Sequence, residues 1–439
     1  MTSERRFTTR RAFLATGALA LGAGCTSPFD PGSNRSGPAN APNGTATESE
    51  ANGTKETETP TPEPGTVTPE YQGRYFPGGR LVDDMGDLSR WSGAGTVTGD
   101  GDVYFEDPQS LRYEGRHQVT LAGDFSDDPI DLSDAALSFA AYFDTPQTQP
   151  TFALAAHAPD ADNRVEFTHP YAANYDLRWQ RYDVAPTRTK GSPDLSAVTK
   201  LTVNMYAGDD RPIRFWLDDI RAHPKPDRGK VIFRFDDCHR HHYTDYFKAL
   251  DEYGYPGIEA VVKREIGRPG RLTVPHLHRM QDAGWDLCNH TTAHQNLAEL
   301  SNGDIRANVE EMTAFFDEID ITKGTNFLVT PFGAHDGRTL DVTAEHFDLA
   351  CGGSSPLNYT LTNPMRVGGS DVDGDLEGAK ELVDLAAEHR SLSIPIFHHL
   401  DAGKFQRLVE YVHRKEQAGE IDVVTLSDLW DHLRTVDRW

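Results

Sequence analysis

Short apolar runs alternate with longer amphipathic ones through the second half of this chain, and that alternation limits the fold more than any other feature. The short runs fall at 231–235, 258–262, 327–330 and 394–397, and the longer ones at 243–253, 274–283, 304–319, 377–389 and 404–417. Runs of strand length, each followed by a helical period, imply parallel β/α units. In an α/β barrel the ends of several such strands meet on one face, so polar side chains just after an apolar run are the candidates for chemistry.

Residues 73–226 carry a different pattern. Alternating stretches at 136–143, 200–206 and 213–217 are split by Gly, Pro and Asp turns, with no long helical period. Many short strands over this length predict an all-β sandwich or jelly roll. Its last stretch, 215–221, resembles the final strand of jelly-roll carbohydrate-binding modules. Trp91, Tyr142, Trp179 and Trp216 are either sugar-stacking residues or core, core being the better reading for Trp216 in its alternating strand. Asp218 and Asp219 either end that strand or hold a structural calcium.

The second half supplies metal-ligating groups at strand ends. Asp236 and Asp237 follow the apolar run 231–235. His290 and His294 are four apart, which predicts both imidazoles on one side of a single helical turn, within reach of one ion. Asp237, His290 and His294 together make three ligands for a divalent metal and leave a coordination position open, the arrangement of a catalytic rather than a structural ion. Asp236 is then a spare carboxylate beside the metal. Two further strand ends bring Thr330-Pro331-Phe332-Gly333 and His398-His399.

In this order the motifs resemble those of the polysaccharide deacetylases, the NodB-homology domain of carbohydrate esterase family 4, over about residues 228–439. The lead-in from Gly284 to Asn289 follows the same pattern. The resemblance implies a distorted (β/α)7 barrel with Asp236 as catalytic base. It implies Asp237, His290 and His294 as ligands of a divalent ion, zinc first and other ions as alternatives. His398 matches the general acid, with His399 the runner-up. The implied activity is metal-dependent removal of N- or O-linked acetyl groups from a cell-surface or extracellular polysaccharide. One departure is Val329, where the family has an arginine that orients the base; Arg366 is expected to take its place, with Arg390 and Arg234 the next candidates. The family's aspartate pair ending in tryptophan is not evident around Asp371 and Asp373. A catalytically inactive carbohydrate-binding protein, and a hydrolase of another carbon–nitrogen bond on the same fold, are the competing readings.

The N-terminal residues bear on location. Arg10 and Arg11 precede a short small-residue run from Ala15 to Gly24, the pattern of a twin-arginine export signal, too short for a membrane span of about 20 apolar residues. It ends at Cys25 in a lipobox-like sequence, so residues 1–25 are expected to be a leader and Cys25 a lipid anchor to the membrane. Residues 26–72 form a Thr/Pro/Glu-rich tether with sequons at Asn34, Asn43 and Asn52. The folded parts are then 73–226 and 227–439, and a monomer, tethered outside the cell or secreted, is expected. With 43 basic and 68 acidic residues the chain carries −25, which argues against a nucleic-acid partner and suggests a surface adapted to high salt. Beyond Cys25, the cysteines Cys238, Cys288 and Cys351 allow at most one disulfide.

Overall fold

The computed structural model describes residues 75–76, 78–143, 151–170, 179–206, 212–353 and 356–437. The expected leader, Cys25, the expected tether and the sequons lie outside the described residues.

Between residues 80 and 224, two six-stranded antiparallel sheets face each other. One runs through Thr96–Asp100, Ser110–Arg116, Pro212–Pro224, Ala135–Phe143 and Gln180–Asp183, with Arg80–Asp83 paired to Pro212–Pro224. The other contains Arg188–Lys190, Arg164–Pro170, Thr151–His157, Lys200–Tyr206, Gln118–Asp124 and Trp91–Gly93. Alternation along each strand sends Leu111, Tyr113, Phe139 and Phe215 from the first sheet, and Leu121, Leu154, Leu201 and Val203 from the second, into one shared core. The stretch predicted at 213–217 is part of a longer strand that slips register between Asp218 and Arg221, with Asp219 at φ +44. Asp218 accepts from the backbone amides of Phe105, Glu106 and Asp219, while Asp219 is paired with Arg181 and Arg221. Both carboxylates are therefore occupied by protein donors, and the calcium alternative is set aside.

From Gly229 onward the strands are parallel. A three-stranded sheet of Leu392–Ser393, Gly229–Val231 and Ile421–Val423 lies beneath an eight-stranded one. We number the strands of the latter β1 (Arg234–Asp236), β2 (Ile258–Val261), β3 (Asp286–Asn289), β4 (Phe327–Val329), β5 (Leu349–Gly353), β6 (Val367–Gly368), β7 (Ser370–Asp371) and β8 (Pro395–Phe397). Their order is β6-β5-β4-β3-β2-β1-β8-β7. The two edge strands, β6 and β7, are separated in sequence only by Gly369, so the sheet is a nearly closed barrel. Counted as one strand bent at Gly369, they leave seven strand positions, the number expected. A side chain at 369 would sit 2.8 Å from Ile396 Cδ1 and 3.2 Å from Arg234 Nη1, which is why the bend carries glycine.

The run 231–235, expected as one strand, changes neighbours midway. Lys230 and Val231 pair in the lower sheet, and Arg234 to Asp236 pair with β2 and β8. The barrel core is aromatic: Phe235 lies against Trp285 at 5.1 Å and Phe397 at 5.5 Å, and each such buried ring contributes about 1.5–3 kcal/mol. All three cysteines described are buried and free.

The aromatics considered for sugar stacking are spent elsewhere. Trp91 is in the sandwich core, its Nε1 donating to Asp83 at 3.0 Å. Tyr142, Trp179 and Trp216 are 3–4% exposed and pack with Leu340, Val342, Phe347 and Met365 of the barrel. A polar seam adjoins them. Asp183 accepts from the backbone amides of Thr362 and Asn363, both at 2.9 Å, and Arg181 donates to Thr362 Oγ1.

Candidate active site

The end of β1 aims two neighbouring carboxylates in different directions. Asp236 is the last strand residue, buried at 4% exposure, with its side chain on the same face as that of Arg234 two positions earlier. Arg234 grips it with two bonds, Nε to Oδ1 at 2.9 Å and Nη2 to Oδ2 at 2.6 Å. Burial by itself would raise this carboxyl, but the guanidinium overrides it and holds Asp236 well below the usual carboxylate range. Asp236 is thus ionised and fixed in orientation. The chain then turns sharply through Asp237 and Cys238, at φ +78 and +58. The turn is held by buried Glu259, which accepts from the Cys238 amide at 3.0 Å, and by Arg271, which donates to the Asp237 carbonyl at 2.7 Å.

That turn carries Asp237 to the two histidines after β3. His290 and His294 do not lie on a helical turn as the spacing predicted: the segment is a non-helical turn with Thr291 at φ +67 and His294 at φ +54. Reversal of the backbone brings the rings to 4.8 Å between centroids all the same. Asp237 Oδ1 stands 3.7 Å from His290 Nε2 and 3.4 Å from His294 Nε2. Tetrahedral ligands at about 2.0–2.1 Å from a zinc-sized ion are about 3.3–3.4 Å apart, so the donor set fits a divalent cation. His290 Nδ1 donates to the Val329 carbonyl at 2.6 Å, which fixes its tautomer and leaves Nε2 as the free lone pair. Burial pushes His290 down to about 4, keeping it the neutral imidazole a metal needs. Position 329, where an arginine was missed, thus contributes through its backbone.

Arg366 is not the partner of Asp236. It sits in the 3-10 turn Pro364–Arg366, where Nη1 donates to Gln180 of the sandwich at 3.0 Å and the guanidinium lies 4.6 Å from the Tyr182 ring centre. The turn is docked on strand Gln180–Asp183, and that docking draws the side chain into the interface. Arg390, the next candidate, pairs with Asp134. Arg234 fills the role, and the signal was its placement two residues before Asp236.

His398 follows β8 on the other side of β1. Asp373 accepts from the backbone amides of His398 and His399, both at 2.8 Å, and its other oxygen lies 3.2 Å from His398 Nδ1; Asp371 lies at 3.6 Å. Burial works against the imidazolium, but Asp373, Asp236 and Asp371 outweigh it and lift His398 to about 9. The ring is therefore a proton carrier at neutral pH. Asp371 and Asp373, two apart at the end of β7, are the acidic residues that the sequence did not connect to this ring. The exposed side of the site bears Phe332, 67% exposed at φ +62, with its ring 4.4 Å from that of His294.

Residues 223–347 match the family model of polysaccharide deacetylases. The match covers β1 to β4, with Asp236, Asp237, His290 and His294, and ends before Asp371, Asp373 and His398. A putative polysaccharide deacetylase, YxkH of Bacillus subtilis (strain 168), is 25% identical over 116 residues, 26% of this chain and 41% of that protein. The match thus spans less than half the length of that relative. Among solved structures, a family 4 acetyl xylan esterase from Clostridium thermocellum in complex with a cobalt ion is 17% identical, over 46% of this chain and 90% of that one, at a TM-score of 0.35. A family 4 carbohydrate esterase from Bacillus anthracis is 17% identical over 46% and 83%, at 0.36.

Proposed function

We propose that this protein is a metal-dependent hydrolase that removes acetyl groups, on nitrogen or oxygen, from a polysaccharide. The observation that carries the reading is the division of labour at adjacent aspartates: Asp237 Oδ1 stands 3.4–3.7 Å from two imidazole nitrogens, while both oxygens of Asp236 are held by Arg234. Asp237, His290 and His294 would hold a divalent ion, zinc being the first choice, and such an ion supplies Lewis acidity to carbonyl hydrolysis. Asp236, ionised and clamped, takes the proton of the attacking water. His398, charged at neutral pH, gives a proton to the departing amine or alkoxide. Phe332 offers an apolar face beside His294 on which a sugar ring can rest. The polysaccharide deacetylase match supports the substrate class, and the leader-like N terminus supports a place outside the membrane, anchored through Cys25.

The test is acetate release from a panel of acetylated glycans together with metal content. Asp237→Ala should lose metal and activity together. Asp236→Asn should keep the metal and lose activity about 10²–10⁴-fold, the usual contribution of a positioned base. Equal metal loss in both variants would overturn the roles assigned, and a fully metallated parent that releases acetate from no glycan would favour a sugar-binding protein.

A further inference from the structure

A second group of imidazoles converges beside the site described, and the proposed reaction makes no use of it. His239 and His241 lie in the turn between β1 and the π-helix His242–Phe247, and His399 lies just after β8. One ring nitrogen from each is within 4.8 Å of the others. The ring centres are 4.3 Å apart for His239 and His399, 5.0 Å for His241 and His399, and 5.3 Å for His239 and His241. Imidazoles bound tetrahedrally at about 2.0–2.1 Å from one ion have ring centres about 5 Å apart. The three rings stand near that spacing.

The tautomer of one ring is set. His241 Nε2 donates to the His398 carbonyl at 2.7 Å, which leaves Nδ1 as the lone pair, the kind of outer contact that orients a ligating histidine. Arg271 Nη1 lies 3.1 Å from both ring nitrogens of His239, so this guanidinium, whose Nε is paired with Glu265 at 2.8 Å, has to release the ring when an ion binds. His399 is exposed, so the cluster opens to solvent and an ion can enter. Three imidazoles with no carboxylate among them suit zinc, cobalt, nickel or copper, and not magnesium or calcium.

We propose that His239, His241 and His399 form a second site for a divalent transition-metal ion, separate from Asp237, His290 and His294. An ion there ties the turn that follows Asp236 and Asp237 to the loop that carries His398, and so links the two loops of the proposed active site. The inference does not depend on what reaction the first site performs.

The experiment is titration of the metal-free full chain with Co2+, read by equilibrium dialysis and by the visible absorption of the bound ion. In a chain carrying Asp237→Ala and His290→Ala, one Co2+ per chain should still bind, with the intense bands of low-symmetry coordination. Adding His241→Ala and His399→Ala should abolish that ion. In the otherwise native chain, His399→Ala should lower the stoichiometry by one, with the circular dichroism unchanged. The proposal is overturned if the chain lacking only the first site stays folded yet binds no Co2+, or if removing His241 and His399 leaves the bound ion and its spectrum as they were.

Discussion

Arg234 and Asp236 show how two positions on one strand face can create a fixed, ionised carboxylate. The pair is buried, so its removal has two consequences of known sign. Truncating the guanidinium strands an ionised carboxylate, and Arg234→Met should destabilise the fold by about 3–5 kcal/mol, measured by denaturant unfolding. Because Asp236 is held below its ordinary range, its contribution to stability is present above the unfolded pKa of about 3.9 and is lost as pH falls through the folded value. In Arg234→Lys, which keeps a charge without the two-pronged grip, the acidic limb of kcat/KM should move to higher pH, and an unmoved limb would show that Arg234 does not set the ionisation of Asp236. His398 obeys the opposite sign. With its proton held up to about 9, activity that needs the imidazolium should fall as pH rises through that value. Its stabilising contribution is likewise full below about 6.5 and lost across the same interval. Asp373→Asn removes the contact that most favours the charge, so the alkaline limb should shift toward neutrality. A pH profile identical to that of the parent would remove His398 from the role of acid.

Among the elements, the segment from Asn358 to Asp371 does two jobs that the sequence could not separate. Its first part docks on the sandwich: Asn358 donates to Asp183 at 3.2 Å, and Arg366 reaches Gln180. Its last part bends at Gly369 to close the barrel beside Arg234. Arg366 looked like a substitute for the missing arginine because it precedes a strand-like segment, but which side of that segment faces the barrel mouth depends on the sandwich behind it. Arg366→Gln should therefore lower the melting temperature while leaving kcat within a few-fold, whereas the Arg234 variants should lose activity; a collapse of kcat without thermal destabilisation would return Arg366 to the active site. Asp237, His290 and His294 were legible because strand ends and a four-residue spacing are local facts. The route by which the histidines meet was not, since a turn with two positive φ values brings them together in place of the helical turn. The partnership of His398 with Asp373 spans 25 positions and depends on β7 and β8 being neighbours, which no local pattern encodes. The helices Gly337–Ala344 and Leu426–Thr435 and strand β5 lay outside the periodic runs, because the burial of each is decided by what packs on it.

At the scale of the whole molecule, composition says what the folded architecture must tolerate. The chain carries 68 acidic against 43 basic residues, a net −25. Many of the pairs that offset this surplus are exposed, such as Arg306 with Glu345 and Arg434 with Asp431, and exposed pairs contribute only about 0–1 kcal/mol each. The uncompensated carboxylates repel one another across the surface, a cost that grows as the Debye length rises from about 3 Å at 1 M salt to about 10 Å at 0.1 M. The buried contacts behave differently: the pair of Arg234 with Asp236 and the aromatic layer of Tyr142, Trp179 and Trp216 are shielded from solvent ions. Salt should thus relieve surface repulsion without weakening what holds the sandwich to the barrel. The melting temperature should rise steadily from 0.1 M to multimolar KCl, with the larger part of the gain below about 1 M, where screening changes most. Thermal unfolding followed across that series is the measurement. A melting temperature that stays flat or falls would show that the acidic surface is not what limits stability, and would remove the physical ground for reading this chain as adapted to high salt.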